Sequence, residues 1–195
     1  MKIALPIDLP SLVPTDWDKW WDIWNTHAQP LKKTTFNHNG QPGLHTGFDV
    51  FKVDNVKPTY EAVKIDLKQL MPELYDQVMS VPINPWLARF VMSNGDFPPH
   101  TDHAAHSWQL RSMFYHPDPD PQWYYTRLNR TDKRYMFLPQ RTNWFAYLDG
   151  AARHGTHYVE SKPKIILQIF ANPIAIKKLV EKSEGLFPQY EITYD

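Results

Sequence analysis

The chain has 195 residues, 42% of them hydrophobic, with 21 basic residues against 21 acidic ones and no cysteine. A neutral balance argues against an electrostatic nucleic-acid binder, which carries a basic excess, and this apolar content supports one packed domain rather than a disordered chain. Without cysteine there is no disulfide, thiolate zinc site, iron–sulfur cluster or cysteine nucleophile, so any metal falls to His, Asp or Glu.

The N-terminal stretch MKIALPIDLPSLVP is unlike a signal peptide, because Pro6, Asp8 and Pro10 break its apolar run. No segment approaches the roughly 20 apolar residues of a membrane span. The expectation is a soluble, cytoplasmic protein with no membrane or nucleic-acid partner; a homo-oligomer is compatible with the sequence. PTDWDKWWDIWNTHAQ predicts a helix, with Thr15 and Asp18 resembling a capping box. Trp17, Trp20, Trp21 and Trp24 recur at i, i+3, i+4 and i+7. Such a stripe predicts packing on the core, with a partner-binding face as the alternative. TYEAVKIDLKQLMPELYDQVMSV predicts a second helix, with Val63, Leu67, Leu70 and Leu74 on one side and Pro72 as a kink or restart. Near the C-terminus, NPIAIKKLVEKSEGLF predicts a third, stopped at Gly185.

Between the second and third helices lie WLARFVMS, WQLRSMFYH, WYYTRL, RYMFLP, TNWFAYLDG, HGTHYVE and KIILQIFA. Each is short and rich in aromatic or β-branched residues, and turn formers separate them. Eighteen prolines against seven glycines chop the chain in the same way. Strands this short and this regularly spaced predict a barrel or jelly roll. The expected class is α+β, mainly β: a single domain over 1–195. Residues 1–82 form a helical and extended region packed on the core, 83–172 the jelly-roll core, and 173–195 a C-terminal helix and tail.

Six of the nine histidines fall between His100 and His157. In NGDFPPHTDHAAHSW, His100 and Asp102 are two apart, so in extended chain they project to one side. His154 or His157 in ARHGTHYV offers a third donor. Two histidines and a carboxylate make the facial triad of non-haem Fe(II) oxygenases, which leaves open positions for cosubstrate and dioxygen. Alone, His-x-Asp is common by chance, and a lone histidine is usually structural or solvated. The context adds Lys164, ten residues after His154, where it leads into the run IILQIF. Burying a cation there is costly unless it meets an anion, and a dicarboxylate supplies one.

The segments RFVMSNGDFPPHTD and FAYLDGAARHGTHYVESKPKIILQIF resemble the Fe(II)/2-oxoglutarate-dependent dioxygenases, especially their prolyl-hydroxylase-like branch. The shared pattern is His-x-Asp, a long interval, a second histidine, and a basic residue one strand later. Here these are His100, Asp102, His154, which lies 52 residues after Asp102, and Lys164. Gly95 and Pro99 stand before the motif, as is usual. The resemblance covers about residues 85–172 and leaves the first 80 unmatched. It implies a double-stranded β-helix and iron on His100, Asp102 and His154. It also implies 2-oxoglutarate held by the iron and by Lys164. The implied activity is oxidative decarboxylation of 2-oxoglutarate coupled to hydroxylation of a small-molecule or peptidyl substrate.

His157 is the alternative distal ligand. It faces the opposite side of an extended strand from His154, and the interval to Lys164 favours His154. Lys162 sits in the turn and is the lesser candidate for the cation. Arg111, on the strand after the motif, is a second candidate for the cosubstrate carboxylate, an ordinary surface or salt-bridged arginine being the plain reading. His103 and His106 are expected to line the mouth or be solvated, and His116 to lie in a loop. Trp108, Trp123, Tyr124 and Tyr125 are candidates for the pocket wall or the core.

Competing classes fare less well. PPHTDH lacks the first half of the metallo-β-lactamase-type His-x-His-x-Asp-His, and no H-E-x-x-H, G-x-S-x-G or Gly-rich phosphate loop occurs. No arginine follows Arg153, unlike the nucleic-acid demethylases of the oxygenase superfamily. A non-catalytic jelly-roll binding module, or a cupin-like metalloenzyme, would not need Lys164.

Overall fold

The computed structural model describes residues 2–33, 45–58, 60–93, 97–100, 109–115, 123–126, 133–147, 153–156 and 164–193. In chain order the elements are β1 (Lys2–Pro6), α1 (Trp17–His27), β2 (Gln29–Pro30), β3 (Lys32–Lys33), β4 (His45–Lys52), β5 (Tyr60–Glu61), α2 (Leu67–Leu70), α3 (Pro72–Met79) and β6 (Pro85–Ser93). Then follow β7 (Phe97–His100), β8 (Gln109–Tyr115), β9 (Trp123–Thr126), β10 (Lys133–Tyr135), β11 (Trp144–Tyr147), β12 (Arg153–Thr156), β13 (Ile165–Ala171), α4 (Pro173–Ser183) and β14 (Ile192–Thr193).

The molecule is mainly antiparallel sheet with a few helices. Among the described residues, one sheet has eight strands in the order β14-β1-β11-β8-β13-β6-β4-β2, and a second has four, β10-β9-β12-β7. From β6 onward the chain alternates between them. β6, β8, β11 and β13 join the large sheet, while β7, β9, β10 and β12 form the small one. The first 80 residues do more than pack against this framework. β1 pairs with β11, and β4 pairs with β6 over most of its length. Gly47 of β4 has a packing reason: a Cβ there would collide with the carbonyl oxygen of Phe90 on β6.

Side chains alternate across the large sheet. One face presents Phe48, Ala88, Phe90, Leu110, Phe114, Ile165, Leu167 and Ile169, which share a core cluster with residues of α1, α3 and α4. Trp20 is central to it, with ring centroids 4.7 Å from Phe90 and 4.6 Å from Phe114. The tryptophan stripe is therefore core: Trp20 and Trp24 are buried, and Trp17 and Trp21 pack against Phe114 and Tyr115. The other face presents Val91, Met113, Phe145 and Ile166, clustered with Met136 just beyond β10 of the small sheet.

Local chemistry sets the helix ends, in places not where the sequence pattern puts them. α1 is capped by Asp16, whose carboxylate accepts from the Lys19 N–H, not by a Thr15–Asp18 box. Thr15 instead donates to Glu73 on α3. The expected second helix is broken. Tyr60–Glu61 is a strand, and residues 63–65 run alongside β4: Asp49 donates its N–H to Val63 and accepts one from Ile65. α2 then stops at Leu70 because Met71 precedes Pro72 and takes an extended φ of −150°, and α3 restarts with Pro72 in its first turn. α4 opens on an Asn172 cap followed by Pro173, and ends before Gly185, whose φ of 77° suits only glycine comfortably.

Candidate functional site

β12 lies between β7 and β9, and its register places His154 opposite His100 on one side and Tyr125 on the other. His154 is 1% exposed. His100 is the last residue of β7, so the first residue of the His-x-Asp motif lies in extended chain. Asp102, His103, His106, Trp108, His116, His157 and Lys162 lie outside the described residues. Among the described residues, no group of three or more His, Asp or Glu stands close enough to hold a metal. Trp123, Tyr124 and Tyr125 lie on β9.

Lys164 immediately precedes β13 and is 3% exposed. Burial, and secondarily the positive charge of Arg111, pushes its ammonium from an ordinary 10.5 down to about 7. Arg111, in the middle of β8, is also buried, which removes the surface-arginine reading. Its Nε and Nη2 donate to one acceptor, Gln109 Oε1, at 3.1 and 2.7 Å. Gln109 thereby helps hold the guanidinium plane. At the Lys164 end of the sheet, Ile165 pairs with Met92, so continuing the register brings Lys164 beside Ser93. Ser93 in turn pairs with His45, and its Oγ lies 3.4 Å from His45 Nδ1.

Sequence reasoning missed a second polar group on the same face. Arg89 of β6 makes a two-pronged ion pair with Asp49 of β4, Nε to Oδ1 at 2.6 Å and Nη2 to Oδ2 at 3.2 Å. Both partners are buried. Burial pushes the Asp49 carboxyl above its ordinary range, and the hydrogen bonds and charge of Arg89 pull the other way. The register continues this pair into a row: Asp49 is opposite Arg89, Arg89 opposite Gln168, and Gln168 opposite Arg111. The signal was present in the sequence as a polar residue inside each apolar run: Arg89 in WLARFVMS, Arg111 in WQLRSMFYH and Gln168 in KIILQIFA. Only the strand pairing shows that the three align.

No protein-family model matches the chain, and no curated protein sequence matches it. Among solved structures, the chain is similar to an oxidoreductase of the 2OG-Fe(II) oxygenase family from Burkholderia pseudomallei, at 11% identity and a TM-score of 0.39, over 66% of this chain and 68% of that one. It is also similar to EvdMO1, at 15% identity and a TM-score of 0.42, over 88% of this chain and 48% of that one, so it spans about half the length of EvdMO1.

Proposed function

We propose that this chain is a non-haem Fe(II) dioxygenase that couples oxidative decarboxylation of 2-oxoglutarate to hydroxylation of a small-molecule or peptidyl substrate. The observation that carries the reading is the pairing of His154 with His100 across the β7–β12 ladder, with the buried cation Lys164 one strand later. Paired positions of an antiparallel ladder share a face, so two histidine positions from distant parts of the sequence meet on one patch of the small sheet. The alternation of β6 to β13 between two four-strand sets supports a double-stranded β-helix (jelly roll) as the core.

The donor set fits the cofactor in chemical type. His100, Asp102 and His154 would hold iron as two imidazoles and a carboxylate. Bound there with 2-oxoglutarate and dioxygen, iron would supply the oxidising power for decarboxylation and C–H hydroxylation. The chain's own residues do the positioning. Lys164 offers a buried positive charge at the start of β13, where it pairs with the far carboxylate of the cosubstrate and sets its orientation. Arg111, locked by Gln109, adds a second fixed charge. Ser93 offers a hydroxyl beside Lys164. The apolar wall of Val91, Ile166 and Met113 excludes water between them.

Anaerobic protein given Fe(II) and 2-oxoglutarate should develop the weak visible absorption of the iron–oxo-acid chelate. His100→Ala or Asp102→Ala should abolish it, and a surviving band would show that the triad is misassigned. Lys164→Ala should weaken 2-oxoglutarate binding far more than iron binding, and an equal loss of both would remove Lys164 from the cosubstrate site.

A further inference from the structure

Three strands from distant parts of the chain put polar residues at one level of the large sheet. β4 contributes His45, β6 contributes Ser93, and Lys164 stands where β13 begins. His45 is paired with Ser93, and Ile165 with Met92, so Lys164 falls on the other side of Ser93 from His45. Paired positions of an antiparallel ladder share a face. Val91, two residues before Ser93, and Ile166, two after Lys164, belong to one core cluster, so that face is the one turned from the helices. Burial falls along the row: Lys164 and Ser93 are buried, and His45 is half-buried.

His45 is held from several sides. Its carbonyl accepts the Leu31 N–H. Its ring stands edge-on to Tyr60 of β5, with centroids 6.2 Å apart and planes at 90°. Its Nδ1 lies 3.4 Å from Ser93 Oγ. A serine hydroxyl has one proton to donate and can also accept. If Nδ1 accepts, that proton points at the ring, and Ser93 turns only lone pairs to an incoming anion. If Nδ1 carries its hydrogen, the ring donates to Oγ and the hydroxyl proton is left for another acceptor. A carboxylate at Lys164 is best met by donors, which favours the second arrangement.

We propose that His45 is a positioning residue for the cosubstrate: its Nδ1–H donates to Ser93 Oγ and turns the Ser93 hydroxyl toward the carboxylate paired with Lys164. This rests on the oxygenase reading above and deepens it. It gives a role in the site to β4, which lies outside the segments that resemble the dioxygenases.

Calorimetric titration of 2-oxoglutarate into anaerobic, Fe(II)-loaded protein reads the affinity without turnover. Ser93→Ala should weaken 2-oxoglutarate roughly tenfold, through loss of one hydrogen bond to a charged group. His45→Leu should weaken it to a similar extent. His45→Leu combined with Ser93→Ala should bind no worse than Ser93→Ala alone, since the ring acts through the hydroxyl. His45→Asn places an amide N–H near the position of Nδ1 and should recover most of the affinity. His45→Gln places its amide farther out, near the position of Nε2, and should not. Asn and Gln keep a polar side chain there, so they carry the test, alone and with Ser93→Ala, where the Leu variant fails to fold. A merely structural role for His45 would make the losses add and leave Asn and Gln alike. Ser93→Ala binding like wild type, additive losses in the double variant, or Asn no better than Gln would overturn the inference. With Lys164→Ala still weakening 2-oxoglutarate, the oxygenase reading would then stand. If the wild type forms no 2-oxoglutarate complex, both fall.

Discussion

A lysine ammonium held at the edge of its titration is a costly group to keep inside a protein. Lys164 is depressed from 10.5 to about 7, first by burial and then by Arg111. Between those values the unfolded chain holds a proton that the folded chain lacks, so stability rises with pH across that window, by at most about 1.4 kcal/mol per pH unit from this group. Below about pH 7 the folded state carries the full cost of the buried charge. Lys164→Met should therefore raise stability most below pH 7, with the gain shrinking toward pH 10.5. Urea denaturation of both proteins at several pH values reads this directly, and a gain that grows with pH would contradict it. Binding shows the opposite trend. A cosubstrate carboxylate needs the protonated form, so 2-oxoglutarate affinity should be flat below pH 7 and fall above it, by up to about tenfold per unit. A flat affinity from pH 6 to 9 would show that Lys164 is not the partner. Lys164 and His154 could be singled out from the sequence because a cation before an apolar run and a histidine at a fixed interval leave a pattern in one dimension. The neighbours that give Lys164 its depressed value, Arg111 above all, come from another strand.

At the scale of elements, the Asp49–Arg89 pair ties β4 to β6, and so fastens the N-terminal segment to the strands from β6 onward. Removing one partner of a buried pair leaves the other charge uncompensated, whereas removing both leaves none. Asp49→Leu should therefore cost roughly 3–5 kcal/mol, and Asp49→Leu with Arg89→Met should recover most of it. Chemical denaturation of the two variants checks this; equal losses would mean that the pair contributes by shape alone. From β6 onward, β6, β8, β9, β10, β11, β12 and β13 were legible as short apolar or aromatic runs between turn formers, whereas β7 (FPPH) and β14 were not expected. The elements before β6 were less legible. HTGFDVFK, which forms β4, follows a polar, glycine-containing stretch, and KIALP, which forms β1, is short and ends in proline. The segment 59–81 carries apolar residues at helical spacing, yet its first part is extended because pairing with β4 outweighs local preference. Its Pro72 was legible as a break, and the structure resolves kink against restart in favour of restart.

For the molecule as a whole, the proposed function depends on β7 and β12, more than fifty residues apart in sequence, pairing in one sheet, with the start of β13 following soon after β12. That assembly was legible only in part. The number and spacing of strands pointed to a barrel or jelly roll, but strand order and register are non-local and leave no periodicity. His154 opposite His100, and the row from Asp49 to Arg111, are both products of register. No helix among the described residues is long and apolar enough to cross a membrane. The proposed site takes its iron ligands from the small sheet and the residues after it, and its cosubstrate cation, Lys164, from the large one. It is tested most directly by crystals grown without oxygen in the presence of Fe(II) and 2-oxoglutarate, with iron located by anomalous scattering at its absorption edge. The account predicts iron bonded to His100, Asp102 and His154, with the far carboxylate of 2-oxoglutarate on Lys164. Iron held without His154 or Asp102, or a dicarboxylate lying away from Lys164, would contradict it.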